Sequence, residues 1–261
     1  MNNKLSAHIG YLFKEVPLGE RVASAAAAGF TAVEHPQPFS IGPQVMRKMV
    51  DEHGLFFAQL AGGAGDASKG EKGLASLPGR EADFRASFDR ALEYALIVGA
   101  PLIHPMAGVP GDENAAQAKD VYLENIRYAV DQTAGSGARV LIEAISEAAV
   151  PGYAISSLQK AIEVQDIFGI EKVTLLVDTF HAAVTEVELT KWIPWNGARI
   201  GHVHIADFPG RHEPGTGTLP FNDILSALQA VEFGDAIGFE YIPSNSTVES
   251  ASFLHDWKLR S

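Results

Sequence analysis

Arg199-Ile-Gly-His-Val-His-Ile-Ala-Asp-Phe-Pro-Gly-Arg-His-Glu-Pro214 decides the fold. It opens with a short apolar run, Ile200 to Ala206, that carries two imidazoles, His202 and His204. Side chains two apart on a strand share a face, so both rings point the same way. The run breaks at Asp207 and Pro209-Gly210 into a polar loop holding Arg211, His212 and Glu213. A strand that ends in a metal-capable side chain and enters a polar loop is how a (β/α)8 barrel builds its active face.

Working outward, the same rhythm recurs. Strands are expected at Leu5 to Gly10, Ala32 to His35, Leu55 to Leu60, Leu102 to His104, Val140 to Ala144, Val173 to Asp178 and Ala236 to Ile242. Between them, apolar residues at helical spacing predict helices over Leu18 to Ala28, Gly42 to His53, Glu81 to Val98 and Asn114 to Ala134. Further helices are expected over Ile155 to Phe168, Ala182 to Trp192, Phe221 to Val231 and Val248 to Trp257. A glycine-rich stretch from Ala61 to Gly79 is too long for a simple connector and is expected at the active face or as a flexible segment. Eight β-then-α units without a linker predict an α/β fold, one (β/α)8 TIM barrel domain over residues 1–261. A doubly wound open sheet is disfavoured because no G-x-G-x-x-G follows the first strand.

Composition narrows the function. With 46% hydrophobic and 20% charged residues, the 261-residue chain can bury a large core. No apolar run is long enough to span a membrane, and no signal peptide is read at the start, so a cytoplasmic address is expected. Cysteine is absent, which excludes disulfides and thiolate metal sites. A net charge of −12 without a Lys/Arg cluster argues against a nucleic-acid partner. Trp192 and Trp195 leave room for a homo-oligomer surface.

Four consecutive strands meet a metal-binding side chain at or near their carboxyl ends: Glu143, Asp178, His204 and Glu240. Each lies about one βα repeat after the last. A charged carboxylate in an apolar strand costs several kcal/mol unless paired. With no Lys or Arg among these strand ends, a divalent cation is the expected neutraliser. Oxygen-dominated ligation with one nitrogen suits Mn²⁺ or Mg²⁺, with Co²⁺ and Zn²⁺ as alternatives. Such a cation polarises an α-hydroxy carbonyl compound and stabilises the enediolate formed when the adjacent proton leaves. Glu143 and Glu240, the two longer carboxylates, are assigned as the acid/base pair, and Asp178 and His204 as structural ligands. His181, just past a strand end, is a candidate to donate to a substrate oxygen, with a capping or supporting role as the alternative. Arg211 is the bidentate partner if the substrate carries a carboxylate, with a solvated loop arginine as the alternative. The same enediolate serves an isomerase, a 3-epimerase or a dehydratase. A multi-zinc nuclease fits the acidic charge poorly, and a glycosidase would need no metal.

Taken together, Ile142-Glu143-Ala144-Ile145, Pro151-Gly152-Tyr153, Asp178-Thr-Phe-His181, Gly201-His-Val-His204, Pro209-Gly-Arg-His-Glu-Pro214 with Gly217, and Glu240-Tyr241 resemble the hydroxypyruvate isomerase family. That family lies among the xylose-isomerase-like TIM barrels, beside ketose 3-epimerases and 2-oxo-tetronate isomerases. The resemblance runs over essentially the whole chain. It implies a divalent metal at Glu143, Asp178, residue 204 and Glu240, a proton shuttle through Glu143 and Glu240, and substrate contacts from His181 and Arg211. The chain departs from the pattern at four positions. His204 stands where that family usually has Gln and is more like the ketose epimerases. Ala144 and Ser146 replace residues of a usual Glu-Pro-Ile-Asn, and Ile242 replaces an Arg.

Overall fold

A computed structural model describes residues 3–258. Nine strands form one sheet: β1 (Leu5–His8), β2 (Ala32–Glu34), β3 (Phe56–Phe57), β4 (Gln59–Gly62), β5 (Leu102–Pro105), β6 (Arg139–Glu143), β7 (Val173–Asp178), β8 (Ile200–Ile205) and β9 (Ile237–Phe239). Their order is β3-β2-β1-β9-β8-β7-β6-β5-β4. The ladders are parallel, as crossover helices require. The two strands that end this order, β3 and β4, are consecutive in the chain and separated only by Ala58. This is a (β/α)8 barrel whose third strand is divided. Leu55 to Leu60, expected as one strand, ladders to β2 through Phe56–Phe57 and to β5 through Gln59–Gly62.

The described residues fall into two compact units. One comprises those within Met1–His35, Gln44–Ala58 and Val177–Ser261. Its core includes Val22 and Ala25 of the Leu18–Ala27 helix, together with Phe13, Phe30, Phe239 and Trp257. The Phe30 and Phe239 rings meet edge-on at 5.8 Å, a geometry favoured by the ring quadrupole. The other comprises Pro36–Pro43 and Gln59–Leu176. There Phe84, Phe88, Ala91 and Ala95 form the buried stripe of the Glu81–Val98 helix, as their spacing predicts. Leu102, Leu141 and Leu176 make a buried cluster on three neighbouring strands.

Element boundaries moved where capping chemistry overrides apolar spacing. Ser157 accepts from the Lys160 amide, so that helix runs over Leu158–Phe168 rather than from Ile155. The single helix expected over Ala182 to Trp192 is two, Thr179–Val184 and Leu189–Asn196. Asp178 starts the first at once, because its Oδ1 accepts the Phe180 and His181 amides at 2.7 and 3.1 Å. Strand β9 ends at Phe239, so Glu240 lies one residue past it. The last helical segment is Thr247–Ser250, a tight turn over Ala251–Phe253, then Leu254–Lys258.

The loop after β8 is built around Asp207, which is buried. Its Oδ1 accepts from the amides of Phe208 and Leu219, its Oδ2 from those of Gly215 and Gly217, at 2.8–3.1 Å. Four backbone donors on one carboxylate tie both ends of the loop to the strand terminus. Arg211 sits in this loop at φ 57, in the left-handed region costly for a residue with a Cβ. Its amide donates to Asp207 O at 3.1 Å, and its carbonyl accepts from Ile242 N at 2.7 Å. No helix among the described residues is long and apolar enough to cross a membrane.

Candidate active site

Alternation along β8 puts His202 and His204 on one face, as their spacing predicts. Both rings meet Glu34 at the end of β2: His202 Nε2 lies 3.0 Å from Oε2 and His204 Nε2 lies 2.6 Å from Oε1. An ionised carboxylate only accepts, so both imidazoles donate. Burial alone would raise the Glu34 carboxyl, but the two imidazoles outweigh it and hold it well below the usual carboxylate range. For His204 burial works toward the neutral form, and the charges of Glu34 and Glu240 win, holding the ring well above its ordinary value.

The opposite edge of His204 faces the rim. Its Nδ1 lies 3.3 Å from Glu240 Oε2, and the other oxygen of Glu240 lies 3.3 Å from His8 Nε2. Asp178 spends Oδ1 on its helix cap and turns Oδ2 toward Arg211 Nη2 at 2.9 Å and His181 Nε2 at 4.0 Å. Asp178, His204 and Glu240 are all buried and offer one donor atom each within 4.8 Å of one another. They form a compact set of two oxygens and one nitrogen, a donor chemistry that fits a divalent cation of the Mn²⁺ or Mg²⁺ kind.

Sequence alone suggested no cationic side chain among these acids; Arg211 reverses that. Its guanidinium reaches from the Asp207 loop and hydrogen-bonds both Asp178 and Glu240. The Tyr11 and Phe180 rings lie 5.3 and 5.4 Å from its central carbon. Burial pushes the Glu240 carboxyl up, but Arg211, His8 and His204 together hold it well below its ordinary value. Desolvation dominates at His8 and His181, whose imidazoles are pushed down toward the neutral form.

Glu143 lies in the other unit, at the carboxyl end of β6, buried and paired in register with Leu176 of β7. Within that unit its Oε2 is 3.6 Å from His104 Nδ1. Burial, and after it the Glu143 charge, pushes the Tyr153 phenol up. Asp178, His181, His204, Arg211 and Glu240 lie close together, and Glu143 is the last residue of β6. Glu34 and His8 were not singled out from sequence. The signal was available, because Glu34 ends an apolar strand just as Glu143 and Asp178 do. What sequence could not supply was its partners on β8, three strands along the sheet beyond β1 and β9.

Comparison with known proteins gives the family of the fold. The family model described as "Xylose isomerase-like TIM barrel" matches residues 22–257. The chain is 34% identical over 256 residues to the 2-oxo-tetronate isomerase of Pectobacterium atrosepticum, covering 97% of each. It is 35% identical over 262 residues to a human protein named putative hydroxypyruvate isomerase, covering 97% of this chain and 95% of the relative. A solved structure from Brucella melitensis named AP endonuclease, family 2, superposes with a TM-score of 0.94 at 31% identity, covering 98% and 99%.

Proposed function

This chain belongs to the hydroxypyruvate isomerase family of xylose isomerase-like TIM barrels, and from that membership we propose a metal-dependent isomerase. Its substrate is a small α-hydroxy carbonyl compound, of the hydroxypyruvate or 2-oxo-tetronate kind or a small ketose, interconverted through an enediolate. The observation that carries this is the buried set Asp178, His204 and Glu240, whose donor atoms lie within 4.8 Å of one another. The ligand set we propose is Glu143, Asp178, His204 and Glu240, with Mn²⁺ or Mg²⁺ favoured over Co²⁺ and Zn²⁺.

When bound, the cation supplies Lewis-acid polarisation of the substrate carbonyl. The protein's residues do the rest. One of Glu143 and Glu240 takes the proton from the carbon beside the carbonyl, and the other returns a proton at the neighbouring carbon. His181, pushed toward its neutral form by burial, donates to a substrate oxygen. Arg211, between two aromatic rings, provides the fork for a substrate carboxylate. The −12 net charge supports a small-molecule substrate rather than nucleic acid. His204, in place of the Gln usual in hydroxypyruvate isomerases, favours ketose 3-epimerisation as the second reading.

The test is turnover of hydroxypyruvate, 2-oxo-tetronates and free ketoses with Mn²⁺, before and after chelation, in deuterated water. Chelator-sensitive conversion between carbonyl positions supports the isomerase. Inversion at one carbon with the carbonyl unmoved supports the epimerase, and chelator-resistant turnover overturns both.

A further inference from the structure

Glu34 carries a charge at a site with no solvent exposure, a placement that costs several kcal/mol unless every oxygen is satisfied. Both oxygens are taken, one by each imidazole of β8. The trio therefore needs no ion of its own, although its donors lie close enough to hold one. His202 spends Nε2 on Glu34, and its buried Nδ1 has no hydrogen-bond partner among the described residues. His204 differs, because its second nitrogen faces Glu240 and the rim.

Resting on the metal reading above, we propose that Glu34 is a positioning residue for His204. By accepting the Nε2 proton it fixes the ring's tautomer and rotation, so that Nδ1 is the nitrogen presented to a cation beside Asp178 and Glu240. Outer-shell carboxylates that hold a ligating imidazole in this way raise its basicity as well as aiming it. His202 anchors the second oxygen and stops the carboxylate from turning. The reach across the sheet is made possible by Gly238, the residue of β9 in register with His204. A Cβ there would lie 2.7 and 2.9 Å from the two Glu34 oxygens and 2.8 Å from His204 Cδ2. A side chain at Gly238 would therefore push the carboxylate and the ring apart. The absence of a side chain here is a structural requirement of the Glu34–His204 bond.

The experiment is Mn²⁺ titration by electron paramagnetic resonance, with nitrogen-15 histidine spectra of the Mg²⁺-loaded protein to read the His204 tautomer. The wild type is expected to show a protonated Nε2. Glu34→Gln is expected to weaken Mn²⁺ affinity by about 10- to 100-fold and to mix the tautomers. Gly238→Ala, which removes no polar side chain, is expected to shift both readouts the same way. Wild-type affinity and tautomer in a Glu34→Gln protein with a cooperative melt would overturn the proposal. So would wild-type spectra showing Nε2 as the metal-bound atom, which needs no variant to fold. If the wild type binds neither Mn²⁺ nor Mg²⁺, the metal reading fails and takes this inference with it. Tight wild-type binding with unmoved variants sinks the inference alone.

Discussion

The two edges of His204 face regions built on opposite principles. On the inner edge, Glu34 and His202 are both strand residues, fully buried, and bonded to each other at fixed register. On the rim edge, Glu240 and Asp178 are met by Arg211, which hangs from a loop. The inner charge is settled permanently, because no partner can leave without stranding a carboxylate in the core. The rim charge is met from a loop, and the proposed function requires this guanidinium to give way to a metal cation. Under that proposal the chemistry falls on the rim side of His204 and the rigidity on the inner side.

The largest effect expected from breaking this division is at the rim. Glu240→Gln should lower kcat by at least about three orders of magnitude, since proton transfer and charge stabilisation are lost together. Steady-state kinetics at saturating Mn²⁺ would check it, and near-normal kcat would remove Glu240 from the acid/base role. Arg211→Ala should act twice. It should raise KM by roughly 10- to 100-fold through loss of the carboxylate fork, with a smaller change in kcat. It should also tighten Mn²⁺ binding to the metal-free protein, because the guanidinium no longer competes for Asp178 and Glu240. An unchanged Kd for Mn²⁺ would show that the rim arginine is not exchangeable with the ion.

Asp207→Asn sharpens the contrast by loosening the loop while leaving the inner trio alone. Replacing one oxygen by a donor strands at least one loop amide, for a loss of about 1–3 kcal/mol in chemical denaturation. KM should follow Arg211 upward. The smallest effect at neutral pH concerns His35, next to Glu34. Burial, with His8 and Arg21 adding to it, pushes that imidazole down to about 3. A histidine with a depressed folded value stabilises the protein above its unfolded value near 6.5, and that stability drains as pH falls from there toward 3. Thermal melts between pH 7 and 4 should show this loss, and His35→Gln should flatten it.

Much of the site was legible because strand ends carry their own signal. An acid or imidazole closing an apolar run has few reasons to be there, and Glu143, Asp178, His204 and Glu240 were found that way. The same signal stands at Glu34, His8 and His104, and reading it there required knowing what lies across the sheet. Arg211 shows the other limit. Its loop position allowed a solvated side chain, and only the Asp207 hydrogen bonds and the left-handed turn aim it at two carboxylates.

Sequence by itself determined the repeating β-then-α order and the faces of the helices. These follow from local periodicity, because side chains alternate along a strand and recur every three to four residues along a helix. Only the tertiary structure decided who meets whom: Glu34 with two imidazoles of β8, Gly238 as the gap between them, and Arg211 between Asp178 and Glu240. Those meetings join residues far apart in the chain, and their energies depend on burial and distance, which no local pattern encodes.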